Sequence, residues 1–411
     1  MATVPHWKRG NTMSQHTPDP KWSVATLCVH GGHRPTPEAP DVVAPTSRSS
    51  TFLQDETTYA KIAAGRTAEA LVYTRYGNPT LDSVERSLAV LEGAERALVF
   101  ASGMAALHAA VLGTARTGST IVASKQLYGG TRDLLLGGFS ELGFVIREFD
   151  VADPESLARA MSADVSLVLC ESVSNPTLVV ADLPRIVALA HAGGAKVLVD
   201  ATFVTPILER PIEHGVDLVM HSATKYLGGH SDLIAGVICG GRTELDTVWT
   251  WRKRAGGCLD PEAAFLLARG LKTLAIRMRA HCEGAAHLAG VLAGHPRVVR
   301  VLHPALPSHP SHSVAARLLE LPGGMVSFEV ASGEAALTIA RSLTLALDAP
   351  SLGGVETLVS LPAFMSHVHL TEEERLAVGI RAGLVRVSVG IEDPRDLERD
   401  FVQALDGLGE S

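Results

Sequence analysis

The sequence predicts an α/β fold with a mostly parallel central sheet, followed by a smaller C-terminal α+β region. From about residue 78, short apolar segments alternate with helical patterns, and beyond about residue 262 this alternation stops. The chain has 411 residues, of which 46% are hydrophobic, enough for two or more domains with a sizeable core. We expect a large domain over residues 76–262 and a C-terminal domain over 263–411.

The large domain begins with a helical pattern and continues with strand candidates. Leu81, Val84, Leu88 and Leu91 recur at helical spacing. Helical stretches such as 186–191 then separate several short apolar segments, a pattern typical of parallel strands with helices on both faces. The six or seven strand candidates are 97–100, 120–123, 144–146, 166–169, 196–199, 217–220 and 235–238.

The C-terminal region has a different pattern. One long helical pattern runs from Pro261 to about Leu292, and the segment 304–312 is rich in proline and histidine, as expected for a loop. The segments 324–330 and 384–389 alternate in side-chain type. Such alternation predicts a sheet with one face on a core and one face in solvent.

The N-terminal residues 1–75 contain few periodic segments. We expect them to form an arm that packs on a neighbouring subunit. The first 22 residues are polar and lack the apolar stretch of a secretory signal, so we expect them to be poorly ordered.

Composition argues against several classes of function. The net charge of −8 gives no basic surface for nucleic acid, and 17 histidines form no zinc-binding motif. Five scattered cysteines without a C-x-x-C pair indicate reduced thiols in the cytoplasm. We expect Cys170 and Cys239, which lie in apolar segments, to pack in the core. The charge-free run 97–115 contains Ser102, Gly103 and His108 and divides into a strand and a helix, which argues against a membrane span.

The most informative residue is Lys225, in the segment 221–230 directly after a predicted strand. A lysine just past the carboxyl end of a parallel strand lies in the crevice where α/β proteins bind ligands. Ser222 and Thr224 add two hydroxyls close by. An amine that can form a Schiff base, beside hydroxyls that can hold a phosphate, suits pyridoxal 5′-phosphate (PLP).

The same residues also fit S-x-x-K, the nucleophile motif of β-lactamases and penicillin-binding proteins. That reading requires S-D-N and K-T-G motifs downstream. The candidate segments here are 230–233 and 271–274, and neither completes the set.

Four other positions favour a cofactor site. Gly103 follows a strand and opens a helix, whose free backbone N–H groups suit a phosphate, although Ser102 also suits a simple helix cap. Asp200 ends a strand 25 residues before Lys225 and can pair with a pyridinium nitrogen, or simply cap the next loop. Thr202 can support the same ring, and Tyr128 can stack on it or carry protons.

Two arginines are candidates for anion binding. Arg75 offers a forked cation for a phosphate, in a segment where Asn78-Pro79 marks a turn and Thr80 is expected to cap the following helix. Arg386, on a C-terminal strand, can bind a substrate carboxylate through two hydrogen bonds. A surface ion pair is the commoner role for a strand arginine.

Together these motifs resemble the PLP-dependent Cys/Met-metabolism enzymes, which have the PLP-dependent transferase fold type I, like aspartate aminotransferase. The family includes cystathionine γ-synthase, cystathionine γ-lyase and methionine γ-lyase. The resemblance spans roughly residues 26–405. The motifs that carry it are 73–75 with 78–80, 101–104, 128–131, Glu171 with 175–177, 199–203, 221–225, 269–274, 351–354 with 356–357, and Arg386 within 385–390.

The resemblance implies a role for each residue. Lys225 binds PLP covalently and moves protons, Asp200 holds the pyridinium, and Tyr128 stacks on the ring and moves protons. Phosphate binding is implied for Gly103, Met104, Ser222 and Thr224. Tyr73 and Arg75 are implied to reach the neighbouring subunit's cofactor, within catalytic dimers of a homotetramer. Substrate binding, chiefly of the amino-acid carboxylate, is implied for Arg386, Ser351, Asn175 and Tyr73.

Three positions depart from the family pattern. Ala201 stands where asparagine is common and is expected to point away from the ring. Gly130 replaces the cysteine that typical methionine γ-lyases carry beside the active-site tyrosine. Pro350 replaces a glutamate that resembles the group by which cystathionine enzymes hold the distal amine. The segments 59–75 and 371–375 resemble the methionine γ-lyase branch most.

The resemblance therefore favours C–S γ-elimination from methionine, homocysteine or a similar thioether, giving an α-keto acid, ammonia and a thiol. The alternatives are γ-replacement on an activated homoserine and cystathionine γ-lyase activity. Two further hypotheses from other classes are an aminotransferase of the same fold and a non-catalytic regulator that keeps the PLP fold.

Overall fold

The computed structural model describes residues 21–33, 40–365, 368 and 371–409. Its larger sheet has seven strands in the order β1-β7-β6-β5-β4-β2-β3. Only β7 is antiparallel to its neighbours, so the sheet is mostly parallel, and every predicted strand overlaps one observed strand. The strands are β1 Arg96–Phe100, β2 Thr120–Ser124, β3 Val145–Phe149, β4 Val165–Glu171, β5 Lys196–Asp200, β6 Leu218–Ser222 and β7 Gly236–Gly240.

Helices cover both faces of this sheet. One face packs against α3, α6, α7 and α10, and the other packs against α4 and α9. The helices of the chain are α1 Val24–His30, α2 Glu56–Ala63, α3 Pro79–Glu92, α4 Gly103–Thr114, α5 Gly129–Asp133, α6 Pro154–Ala160, α7 Leu183–Ala192, α8 Thr205–Leu208, α9 Arg242–Ala255, α10 Pro261–Leu271, α11 Leu274–Ala293, α12 His312–Leu318, α13 Gly333–Ser342, α14 Glu372–Ala377 and α15 Pro394–Asp406.

Helix α3 shows how the sequence sets its own boundaries. Asn78 is the N-cap, and its side-chain oxygen accepts a hydrogen bond from the backbone N–H of Thr80 at 2.9 Å. Gly93 ends the helix in the left-handed conformation, at φ +69°. The expectation that Thr80 caps this helix is wrong, because its hydroxyl instead accepts from the backbone N–H of Ser47 at 2.8 Å and fastens the preceding segment.

The second sheet has five strands in the order β10-β11-β12-β9-β8. Helices α11, α13 and α15 cover its apolar face. Its strands are β8 Val298–Leu302, β9 Met325–Val330, β10 Leu347–Asp348, β11 Leu358–Ser360 and β12 Leu384–Ser388.

The expectation of a half-exposed C-terminal sheet is wrong for the two strands on which it was based. Every residue of β9 and β12 is buried. The polar face packs against loops of the larger sheet: Ser327 donates a hydrogen bond to the carbonyl of Pro176 at 2.7 Å, and Arg386 donates one to Asn175. The alternation is real, but the polar side faces protein and a cavity rather than solvent.

The predicted long helix from Pro261 to about Leu292 is also divided into two, α10 and α11. Gly270, in the last turn of α10, lets this end of the helix approach the backbone after Lys225, because a Cβ there would lie 2.3 Å from the carbonyl oxygen of Gly228. Arg277, in the first turn of α11, donates hydrogen bonds to the carbonyls of Gly270 and Tyr226, both at 2.8 Å. The junction between α10 and α11 therefore packs against the turn that follows Lys225 and holds it through Arg277.

All five cysteines are free, and Cys28, Cys170, Cys239 and Cys282 are buried, which confirms core packing for Cys170 and Cys239. Across the described ranges, no helix has the length and apolar character needed to span a bilayer. The expectation for the N-terminal 22 residues falls outside the described part of the chain except at its end, where Trp22 packs against the core.

Two glycine substitutions test how closely β7 packs against the turn before α4. A Cβ at Gly236 would lie 2.1 Å from the backbone oxygen of Ser102, whereas a Cβ at Gly290, in α11, would meet nothing within 4 Å. We expect Gly236→Ala to lower the free energy of unfolding by about 1–3 kcal/mol. The control Gly290→Ala should raise it by about 0.5–1 kcal/mol, since alanine favours a helix. Urea denaturation measures both, and equal stability of Gly236→Ala and wild type would contradict the packing described.

Candidate functional site

A cavity of about 620 Å³ opens at the carboxyl ends of β2, β4, β5 and β6. This is the edge at which parallel sheets bind ligands. Of the predicted site residues, all except Tyr73 and Arg75 line it. Those lining residues are Gly103, Met104, Tyr128, Asn175, Asp200, Thr202, Ser222, Thr224, Lys225, Ser351 and Arg386.

Lys225 and Arg386 meet at Ser351. The Lys225 ammonium nitrogen donates to the Ser351 hydroxyl at 2.6 Å, and an Arg386 Nη donates to the Ser351 carbonyl at 2.9 Å. Burial, and after it the charge of Arg386, lowers the pKa of Lys225 to about 8. The amine is therefore far easier to deprotonate than an ordinary lysine.

Arg386 is buried in the cavity wall, which excludes the alternative of a surface ion pair. Its other Nη donates to the Asn175 side-chain oxygen at 3.1 Å. Within the described ranges, no carboxylate forms an ion pair with it, and its Nε has no hydrogen-bond partner. Burial lowers the pKa of Arg386 to about 10, yet at neutral pH the group stays charged. A buried cation without a counter-ion is suited to an anionic ligand.

Ser351 has a conformation that sequence patterns did not reveal. Its φ is +114°, a strained value for a residue with a side chain. Gly353, at φ +75°, lies so near Lys225 and Tyr226 that a Cβ there would be 2.5 Å from the Tyr226 nitrogen. The Gly353 N–H donates to the Ser388 hydroxyl at 2.8 Å. The strained loop is thus held between β12 and the lysine turn.

Asp200, Thr202 and Ser222 form a second group. Asp200 Oδ1 accepts from the backbone N–H of Thr202 at 2.9 Å and from its hydroxyl at 2.5 Å, and the Ser222 N–H donates to that hydroxyl at 2.8 Å. Both bonds use Oδ1, which leaves Oδ2 for a ligand. Burial raises the pKa of Asp200, and the bonds from Thr202 oppose this. Asp200 therefore caps its loop and lines the cavity at once.

The start of α4 forms an anion cradle with Ser222. Ser102 caps the helix through a hydrogen bond from the N–H of Ala105 at 3.1 Å. The N–H groups of Gly103 and Met104 lie in the first turn, where no intrahelical acceptor exists. A Cβ on Gly103 would lie 3.1 Å from the Ser222 Cβ, so glycine keeps the cradle open.

Thr224 lines the cavity, but its hydroxyl already forms two hydrogen bonds within the protein. Its hydroxyl donates to the carbonyl of Ala235 at 3.2 Å and accepts from the Ala235 N–H at 3.0 Å. To donate to a phosphate oxygen, the hydroxyl has to turn its proton away from Ala235.

Among the charged side chains that line the cavity in the described part of the chain, Glu171 is the one for which sequence patterns predicted no role. One of its oxygens accepts from the Tyr128 N–H at 2.5 Å, and the other accepts from the Asn175 N–H at 3.1 Å. It pairs in register with Asp200 at the ends of β4 and β5. Burial, followed by the charge of Asp200, raises the pKa of Glu171 well above its usual value. The signal available in the sequence was a carboxylate at a strand end, as at Asp200.

Tyr73 and Arg75 lie outside the cavity of their own chain. Arg75 donates to the carbonyl of Lys253 at 2.5 Å, and its guanidinium lies 4.9 Å from the ring centroid of Tyr76. Tyr73 is 42% exposed. Ala201, by contrast, is buried in the core on the other face of the sheet, as expected.

These residues fit PLP. The cavity offers an amine for its aldehyde, a carboxylate for its ring nitrogen, a helix start for its phosphate and Tyr128 for its ring. The family model described as "Cys/Met metabolism PLP-dependent enzyme" matches residues 25–406. The chain belongs to this family.

Relatives and solved structures of the Cys/Met-metabolism family agree. The chain is 40% identical to L-methionine gamma-lyase of Treponema denticola, over 89% of this chain and 93% of that protein. It is 39% identical to cystathionine gamma-synthase of Mycobacterium bovis, over 93% and 96%. The structure of cystathionine gamma-lyase from Lactobacillus plantarum complexed with L-serine superposes with a TM-score of 0.89 and 32% identity, over 94% and 99%. The predictions of fold type, cofactor and enzyme family are confirmed.

The low pKa of Lys225 can be measured in cofactor-free protein. An amine acylates only when unprotonated, so the labelling rate at Lys225 should rise with pH around a midpoint near 8, below that of an ordinary lysine. Removing the Arg386 charge stabilises the ammonium, so Arg386→Met should move the midpoint upward. Mass spectrometry of the acylated peptide gives both rates. A midpoint at the value of an ordinary exposed lysine would contradict the effect of burial.

Proposed function

We propose that this family member is a PLP-dependent carbon–sulfur γ-lyase that acts on methionine, homocysteine or a similar thioether. The observation that carries the proposal is the distribution of charge in the cavity. Its charged lining residues, within the described part of the chain, are Glu171, Asp200, Lys225 and Arg386. Each is matched to PLP, to the substrate carboxylate or to a hydrogen bond within the wall.

The mouth of the cavity is apolar. Ile234 is 65% exposed, Met365 is 42% exposed, and Pro350 is also exposed. With Pro350 in place of a carboxylate, none of the described residues places an anionic side chain at the mouth to hold the distal amine of cystathionine. An apolar mouth favours a substrate whose γ-substituent is small and uncharged, such as a methylsulfanyl or thiol group.

Each of the cavity residues has a separate role in the proposed reaction. Arg386 and Asn175 bind the substrate carboxylate, and this fixes the amino acid beside Ser351 and Lys225. When bound, PLP supplies an electron-withdrawing ring that makes the Cα and Cβ protons of the amino acid acidic. Asp200 holds the proton on the ring nitrogen. Lys225, with its pKa of about 8, removes and returns protons at Cα and Cβ.

Tyr128 serves the leaving group. It lines the cavity and is 46% exposed, so its hydroxyl can donate a proton to the departing sulfur. Its ring lies close to residue 130, because a Cβ on Gly130 would be 2.6 Å from the Tyr128 Cε1. The ring therefore occupies space that a larger side chain would fill.

A second candidate function is γ-replacement on an activated homoserine. Gly130 favours it, because typical methionine γ-lyases have a cysteine there. Cystathionine gamma-synthase of Mycobacterium bovis is also nearly as similar as the methionine gamma-lyase of Treponema denticola. The two activities use the same wall residues and differ in whether water or a nucleophile ends the cycle.

Product analysis decides between these functions. We expect incubation with methionine or homocysteine to give 2-oxobutanoate, ammonia and a thiol, detected by mass spectrometry. Lys225→Ala should lower kcat by at least about a thousandfold, because the proton carrier is lost.

Other outcomes would point elsewhere. Products formed only from an O-acylhomoserine with an added thiol would establish the synthase. Accumulation of pyridoxamine phosphate without ammonia would establish an aminotransferase, and absence of turnover with every substrate would favour a regulator.

We further propose that the arm, residues 1–75, packs on a second copy of the chain, whose cavity receives Tyr73 and Arg75 within a homotetramer. Apolar side chains on the arm support this: Leu53 is fully exposed, and Val42 and Tyr59 are 85% and 63% exposed. The free cysteines support a reducing, cytoplasmic location.

Co-expression of two inactive variants tests the shared site. In a mixed dimer of Lys225→Ala and Arg75→Ala, one cavity keeps both groups, so random pairing should restore roughly a quarter of the sites. The control pair Lys225→Ala and Asp200→Ala should restore none, since both residues line the cavity of one chain. Equal activities for the two mixtures would place Arg75 outside its neighbour's site.

A further inference from the structure

Glu171 is a buried carboxylate that joins two separate loops at the cavity wall. It is 6% exposed and ends β4, directly beside Asp200. Its two oxygens accept one backbone N–H each, from Tyr128 in the loop after β2 and from Asn175 in the loop after β4. One side chain thus holds the backbone of both loops, at Tyr128 and at Asn175.

Each loop carries a different part of the proposed chemistry. The first positions the Tyr128 ring, which lines the cavity. The second positions Asn175, whose side-chain oxygen accepts from Arg386 at 3.1 Å, and Arg386 in turn binds the Ser351 carbonyl. Glu171 is therefore bonded directly to the backbone of Tyr128. It is linked to Arg386 through one intervening residue, Asn175.

We infer that Glu171 is a positioning residue that couples the aromatic side chain over the cofactor to the group that binds the substrate carboxylate. The inference rests on the proposed roles of Tyr128, Asn175 and Arg386. Glu171 itself acts through these neighbours, since both its oxygens are used by backbone donors.

A carboxylate is needed because both partners are donors. Glutamine has the same shape but only one acceptor oxygen, so its amide N–H₂ would face one of the two backbone N–H groups. A buried donor left without an acceptor is costly, and the loop that loses its bond will shift. Burial beside Asp200 is unfavourable for a second anion, so packing alone does not favour glutamate here.

The test uses the PLP-loaded enzyme and an unreactive probe, 4-(methylsulfanyl)butanoate, which has the carboxylate and thioether of methionine but no amine. Probe affinity reports on Arg386, and the visible circular dichroism of bound PLP reports on the ring environment near Tyr128. We expect Glu171→Gln to weaken probe binding at least about tenfold and to change the dichroism band.

Three further variants distinguish loss of the link between the two loops from a general disturbance of the fold. Asn175→Ala removes only the arginine contact, so it should weaken the probe and leave the dichroism unchanged. Cys170→Ala disturbs the same strand on its opposite face, where Cys170 is fully buried, and should change neither signal. Glu171→Asp keeps both oxygens but shortens the side chain, so it should fall between wild type and Glu171→Gln in both.

All values are taken on molecules that retain PLP, so loss of cofactor alone does not count as support. Probe affinity within twofold of wild type, or weakened affinity with an unchanged dichroism band, would overturn the coupling. If Glu171→Gln does not fold, Glu171→Asp decides by the same two signals. Absence of probe binding to wild type would also overturn it. Because the probe is not turned over, the result does not depend on whether methionine releases a thiol.

Discussion

The site depends on the burial of two cations, Lys225 and Arg386, within one cavity. Ser351 bonds to both, through its hydroxyl and its carbonyl, and no carboxylate in the described part of the chain pairs with either. Mutual repulsion and lost hydration make this arrangement unfavourable without anions. It becomes favourable when the Lys225 amine is joined to the aldehyde of PLP and an amino-acid carboxylate binds Arg386, so the wall is complementary to these two ligands.

Much of this arrangement could be predicted from the sequence. Apolar strands such as 217–220, each followed by polar residues, placed Lys225 and Asp200 at one edge of a parallel sheet, because that edge collects the carboxyl ends of the strands. The helical spacing of Leu81, Val84, Leu88 and Leu91 identified a buried face, and all four are at most 1% exposed.

The rest depends on contacts between distant segments. The burial of β9 and β12 on both faces comes from loops that lie 151 and 211 residues earlier, which local alternation does not encode. Thr80 resembled a cap because of its residue type, but Asn78 was better placed and Thr80 bound another segment. The strained Ser351 is a non-glycine residue at positive φ, and Glu171 acquires its role only when two loops converge on it.

The buried cysteines acquire a further meaning in a protein proposed to release thiols. Burial raises the pKa of Cys28, Cys170 and Cys239 and raises that of Cys282 to about 12. A protonated, enclosed thiol neither attacks a disulfide nor is reached by one, so these side chains are shielded from exchange with any disulfide that forms when the released thiol is oxidised by another compound. The packing that fills the core therefore also protects four of the five thiols from oxidised forms of the product.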